Sequence, residues 1–87
     1  MYQVEFMPEA EDDLARLSPD IAKRVLKKAK WLADNFDQLT PEALTGQWRG
    51  VFKLRVGDYR ALYTFVKGDP GIIMIHLVKH RREVYDE

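Results

Sequence analysis

The order of hydrophobic patterns predicts an α+β fold: an N-terminal strand, a two-helix hairpin, then an antiparallel three-strand meander packed on the helices. Three observations carry this. Tyr2, Val4 and Phe6 alternate with Gln3 and Glu5, as in a half-buried strand. Two stripes with helical spacing then follow one another almost without a loop, which predicts a hairpin. Alternating segments separated by turns close the chain, and a strand–helix–helix–meander order makes a two-layer α+β domain.

The elements justify themselves in order. Pro8 suits the first turn of a helix, and Ala10, Leu14 and Leu17 recur at helical spacing. Glu9, Glu11, Asp12 and Asp13 crowd its start, where the helix dipole favours negative charge. Ser18-Pro19-Asp20 reads as a capped start for a helix over residues 19–36, about 27 Å long. Its apolar stripe is Ile21, Val25, Ala29, Leu32 and Phe36, and Trp31 is assigned to the same core. Residues 37–46 form a polar loop punctuated by Pro41 and Gly46. Phe52 and Leu54 alternate with Val51, Lys53 and Arg55; after a Gly57-Asp58 turn, Tyr59, Ala61, Tyr63 and Phe65 alternate with Arg60, Leu62 and Thr64. A second turn over residues 67–71 leads to a last strand from Ile72 to Val78. Tyr59 and Tyr63 are expected in the core, and residues 1–87 are expected to form one domain.

The 87 residues include no cysteine, which excludes disulfides and thiolate metal sites and fits a reducing cytosol. The longest strongly apolar run is Ile72-Ile73-Met74-Ile75, against the roughly 20 residues a bilayer needs. The N-terminus lacks the basic start and long apolar stretch of a signal peptide, so a cytoplasmic location without membrane contact is expected. Net charge is zero but unevenly spread. Residues 1–46 carry −3, residues 47–82 carry +6, and the last five residues return the sum to zero. Such asymmetry points to an anionic partner, against the plainer reading of a solvated charged face.

Alternation sorts side chains by face. If Phe52, Leu54, Tyr59, Ala61 and Tyr63 point at the helices, Lys53, Arg55 and Arg60 point away, on adjacent strands joined by a tight turn. Three cations gathered on one open surface repel one another unless an anion offsets them. His76 and His80 are too far apart to share an ion, about 13 Å along a strand at roughly 3.3 Å per residue, so no metal site is expected. Trp48 suits either stacking on a nucleobase or packing at a strand edge.

These residues also resemble a known family. Leu44-Thr45-Gly46, the run from Trp48 to Arg55, Gly57-Asp58-Tyr59-Arg60-Ala61-Leu62-Tyr63 and Val78 to Tyr85 are similar to the RelE branch of the RelE/ParE toxin superfamily. The resemblance covers essentially the whole chain. It implies the two-layer fold of that superfamily and the toxin of a type II toxin–antitoxin system, a ribosome-dependent endoribonuclease that cuts the mRNA codon in the ribosomal A site. No cofactor is implied, and cleavage is metal-independent: the ribose 2′-hydroxyl attacks the adjacent phosphate. A cognate RelB-like antitoxin is implied as partner, with operator DNA bound only through that complex.

The resemblance also distributes roles. Arg60 matches the family's Tyr-Arg motif and would contact phosphorus oxygens that gain charge in the transition state. Arg81 would do the same or protonate the leaving oxygen. Lys53 corresponds to a lysine beside the attacking hydroxyl, and neighbouring arginines would lower its pKa towards a base's useful range. Tyr85 would stack on a base or help transfer a proton, and His80 offers an imidazole suited to acid–base work near neutrality. Arg55, Arg49, Lys79 and Arg82 are the candidates for gripping flanking phosphates. The branch often carries a second lysine two residues before Lys53, where this chain has Val51. Two other functions stand beside the nuclease: a ParE-like inhibitor of DNA gyrase, and a degenerate toxin that only binds its antitoxin.

Overall fold

The computed structural model describes residues 1–84. Strand β1 (Tyr2–Phe6) leads into helices α1 (Pro8–Arg16) and α2 (Pro19–Asn35), each with proline in its first turn. The Ser18 side chain accepts the Ile21 N–H at 3.5 Å and caps α2. A short strand β2 (Glu42–Ala43) interrupts the polar loop, and β3 (Phe52–Val56), β4 (Tyr59–Val66) and β5 (Gly71–His80) form the expected meander.

All five strands share one sheet in the order β1-β5-β4-β3-β2. The meander is antiparallel, whereas β1 lies parallel to β5 at the sheet edge, with Tyr2 opposite Gly71 and Phe6 opposite Ile75. Strand β2 extends the meander by pairing Glu42 with Lys53 and Ala43 with Phe52. Its two residues are too few and too polar to stand out by alternation.

The two sheet faces are packed differently. Towards the helices, Val25, Ala29, Leu32 and Phe36 meet Leu54, Ala61, Tyr63, Ile73, Ile75 and Val78 in the main core. Fully burying each Val, Leu, Ile or Phe side chain of this kind contributes about 1.5–3 kcal/mol. The Phe36 ring is clamped between Tyr2 and Phe65, with ring centroids at 4.7 and 4.8 Å. Away from the helices, the sheet is not simply wet. Leu44, Leu62 and Val84 form a second small core with Trp48, Val51 and Leu77 around them. The loop before β3 and the chain after β5 both fold back to make it.

Two core assignments need correction. Trp31 is 41% exposed, with the Lys28 ammonium 4.0 Å from its ring centroid. It follows Lys30 and precedes Leu32, so at about 100° per residue it sits on the flank of the buried stripe. Tyr59 is only half-buried, its ring edge-on to His80 at 5.3 Å.

A bulge in β5 redirects the end of the chain. Leu62 pairs with Leu77 but Tyr63 pairs with Ile75, leaving His76 as the extra residue. Ile75 and Val78 therefore both face the helices, although strict alternation would put them on opposite faces. His76 donates to or accepts from the Thr64 hydroxyl at 2.8 Å.

Candidate functional site

Register brings the cations of the outer face together. Arg55 lies opposite Arg60, and Arg60 opposite Lys79, so three adjacent strands carry basic residues in one row. Lys53 is two residues along β3, opposite Leu62 on one side and Glu42 on the other. Directly opposed side chains have Cβ atoms about 4.5–5.5 Å apart, so like charges there repel without an anion between them.

Each cation is held differently. Lys53 is 8% exposed, set beside the second small core. Burial lowers its pKa below the ordinary lysine value; Arg55 and Arg60 lower it further, and Glu42 partly opposes them. Arg60 turns its guanidinium onto the β3–β4 turn, donating to the carbonyls of Gly57 at 3.0 Å and Tyr59 at 2.9 Å. Arg55 is exposed and reaches Glu42 at 3.5 Å.

The chain after β5 returns to that same turn. The Arg81 N–H donates to the Asp58 carbonyl at 2.8 Å, and its side chain lies 3.8 Å from the Asp58 carboxylate. Arg60 and Arg81 thus flank one hairpin turn. Lys53, Arg55 and Arg60 share the outer face, and Arg81 stands at the turn that joins their strands.

Other sequence candidates fall elsewhere. The bulge places His80 opposite Tyr59, on the helix side of the sheet rather than with Lys53. Its Nδ1 accepts the Arg82 N–H at 3.2 Å while the Glu83 carboxylate accepts the His80 N–H, so the ring caps a short 3-10 turn over Arg81–Glu83. Lys79 faces outward by register, but its ammonium swings over the free edge of β5 to Asp13 at 3.1 Å. Arg49 and Arg82 are exposed on the loop before β3 and on the 3-10 turn. Trp48 is half-buried in the second core, which supports the packing reading. Tyr85 lies outside the described residues.

Two acidic residues enter that the sequence did not single out. Glu42 sat in a polar loop, and only its pairing with Lys53 shows that it faces the cations. Asp13 counted among helix-dipole acids, yet it is 6% exposed and accepts the Val78 N–H at 2.9 Å. Beyond the end of β1 this carboxylate substitutes for a strand partner, and Lys79 and Arg16 balance its charge. Among the described residues no three His, Asp or Glu side chains gather as a metal site would need.

Residues 4–85 match the family model of the ParE toxin of type II toxin–antitoxin systems. The chain belongs to this toxin family. No curated protein matches it. Among solved structures, this ParE-family chain is similar to the toxin–antitoxin complex RelBE2 from Mycobacterium tuberculosis. That match has a TM-score of 0.78 and 31% identity over 92% of this chain and 98% of the other. The RelB–RelE antitoxin–toxin complex from Methanococcus jannaschii follows, with a TM-score of 0.64 and 26% identity over 93% and 94% of the chains. The archaeal RelE–RelB complex from Pyrococcus horikoshii OT3 shares the fold, with a TM-score of 0.68 at 22% identity over 95% and 98%. The chain is thus a type II toxin of the RelE/ParE superfamily, with RelE-type structural neighbours.

Proposed function

We propose that this toxin cuts messenger RNA in the ribosomal A site without a metal ion. The observation that carries the reading is Lys53: a largely buried lysine with a lowered pKa, on the outer sheet face with Arg55 beside it and Arg60 on the neighbouring strand. A lysine so placed gives up its proton more readily and can act as a base. In the proposed reaction, neutral Lys53 takes the proton of a ribose 2′-hydroxyl. The freed oxygen bonds to the adjacent phosphorus, and the bond from phosphorus to the 5′-oxygen breaks. Arg60 and Arg55 contact the phosphorus oxygens as they gain charge, and the departing 5′-oxygen takes a proton from Arg81, which stands beside the same turn and regains one from solvent. The products are a 2′,3′-cyclic phosphate and a 5′-hydroxyl. Arg60 reaches the phosphate by exchanging its two turn carbonyls for a charged acceptor, which makes the stronger hydrogen bond.

The likeness to RelB–RelE complexes supports a RelB-like antitoxin as partner; in the proposal the toxin meets operator DNA only through that complex and acts in the cytoplasm, where ribosomes are. The cleavage reading is tested by adding purified protein to ribosomes programmed with a defined mRNA and mapping the new 5′ ends. Breaks inside the A-site codon are expected; intact mRNA overturns it. One observation favours a second reading, inhibition of DNA gyrase: the family model that matches is that of the ParE toxin. A supercoiling assay with purified gyrase separates the two, since the nuclease leaves supercoiling unchanged.

A further inference from the structure

Helix α2 carries a second stripe beside its buried one. Arg24, Lys27, Lys28 and Trp31 recur at intervals of three and four residues and so share a face. With Arg55 and Gly57 they line a cleft of about 370 Å³ between α2 and the end of β3. No acidic residue lines it. Among the described residues, Arg24, Lys27 and Lys28 have no carboxylate at ion-pair distance, whereas Lys30, Arg16, Lys79 and Arg55 each have one. Like charges at these helical intervals repel, so the stripe is held against a cost that a bound anion removes.

Arg55 belongs to two groups at once. It lines this cleft, and it lies beside Lys53 and opposite Arg60 on the outer sheet face. Basic charge therefore runs from the sheet face through Arg55, past its partner Glu42 at the β3 edge, onto α2. The exposed Trp31 ring at the far end has the Lys28 ammonium over it, which a nucleobase can replace. We propose that RNA held on the outer face continues round this edge and lies in the cleft, with phosphates on Arg24, Lys27 and Lys28 and a base against Trp31. The inference rests on the reading of the chain as an RNA-cleaving toxin and extends its substrate track. The open edge of β3 beyond β2 would also suit an acidic peptide. The continuity through Arg55 favours one polyanion covering both surfaces.

The test measures binding of labelled, uncleavable 2′-O-methyl RNA of about 4 and about 12 nucleotides, lengths typical of single-strand sites. The longer RNA is expected to bind at least about tenfold tighter, with quenching of indole fluorescence that Trp31→Phe diminishes. The double variant Arg24→Glu, Lys27→Glu, altered only at exposed positions, should melt like the wild type and bind the short RNA equally well. It should lose the gain with length, and its salt dependence should fall by about one to two counterions. Equal affinity for both lengths, or undiminished binding of the long RNA by the double variant, overturns the proposal. So does a polyglutamate peptide that binds through Arg24 and Lys27 when RNA does not. Because this RNA cannot be cut, a protein that gains affinity with length yet leaves ribosomal mRNA intact keeps the cleft and loses the cleavage reading. Cleavage without the gain does the reverse.

Discussion

The helix side of the sheet is a continuous apolar layer in which Val25, Ala29, Ile73 and Ile75 are wholly buried. The opposite side carries a small core of Leu44, Leu62 and Val84, and directly beside it Lys53 and a row of cations. One face supplies stability and the other holds charge at the margin of an apolar patch. Charge on the outer face is thus held where water is partly excluded: Lys53 is 8% exposed, and its burial is the first cause of its lowered pKa.

Substitutions can break this comparison in graded steps. Ile75→Ala, on the helix side, is expected to cost about 4 kcal/mol by leaving a cavity in the main core, read by denaturant unfolding. Arg60→Ala should lower mRNA cleavage by about 10²–10³-fold, with a loss of at most about 1 kcal/mol in stability. If unfolding accounted for its inactivity, the division between the faces would fail. Smaller still is the effect of pH. Burial raises the Tyr63 pKa to about 12 from its ordinary 10.0. The folded state then keeps a proton that the unfolded chain loses, so this stabilisation is complete below pH 10 and disappears between pH 10 and 12, on the order of 2–3 kcal/mol. Tyr63→Phe should remove that part of the alkaline decline in unfolding experiments. Asp13→Asn should cost about 1–3 kcal/mol, because it weakens the acceptor of the Val78 N–H and leaves Lys79 without its counter-charge. Hydrogen exchange at Val78 should accelerate in step.

Much of this architecture was legible in the sequence because it is written in local periodicity. The helix hairpin, the meander and the outward direction of Lys53, Arg55 and Arg60 all follow from spacing of 3.6 or 2. What escaped depends on non-local pairing. The two-residue strand β2 has no periodicity, so Glu42 could not be seen to face Lys53. The bulge at His76 leaves no mark in residue type or spacing, and it carries His80 to the helix side and Lys79 to the outer face, from which its ammonium reaches round to Asp13. Trp31 was misassigned because hydrophobic character alone does not say on which side of a helical stripe a residue falls. The second small core was missed because Leu44, Leu62 and Val84 come from three separate parts of the chain.

The central claim is that the outer face promotes attack by a ribose 2′-hydroxyl on its own phosphate. It is tested most directly by an mRNA carrying a single 2′-deoxy sugar at the nucleotide whose 3′-phosphate is cut, presented to the pure protein on programmed ribosomes. The unmodified message is expected to be cleaved in its A-site codon and the substituted one to stay intact there. Cleavage of the deoxy message at the same bond would contradict it.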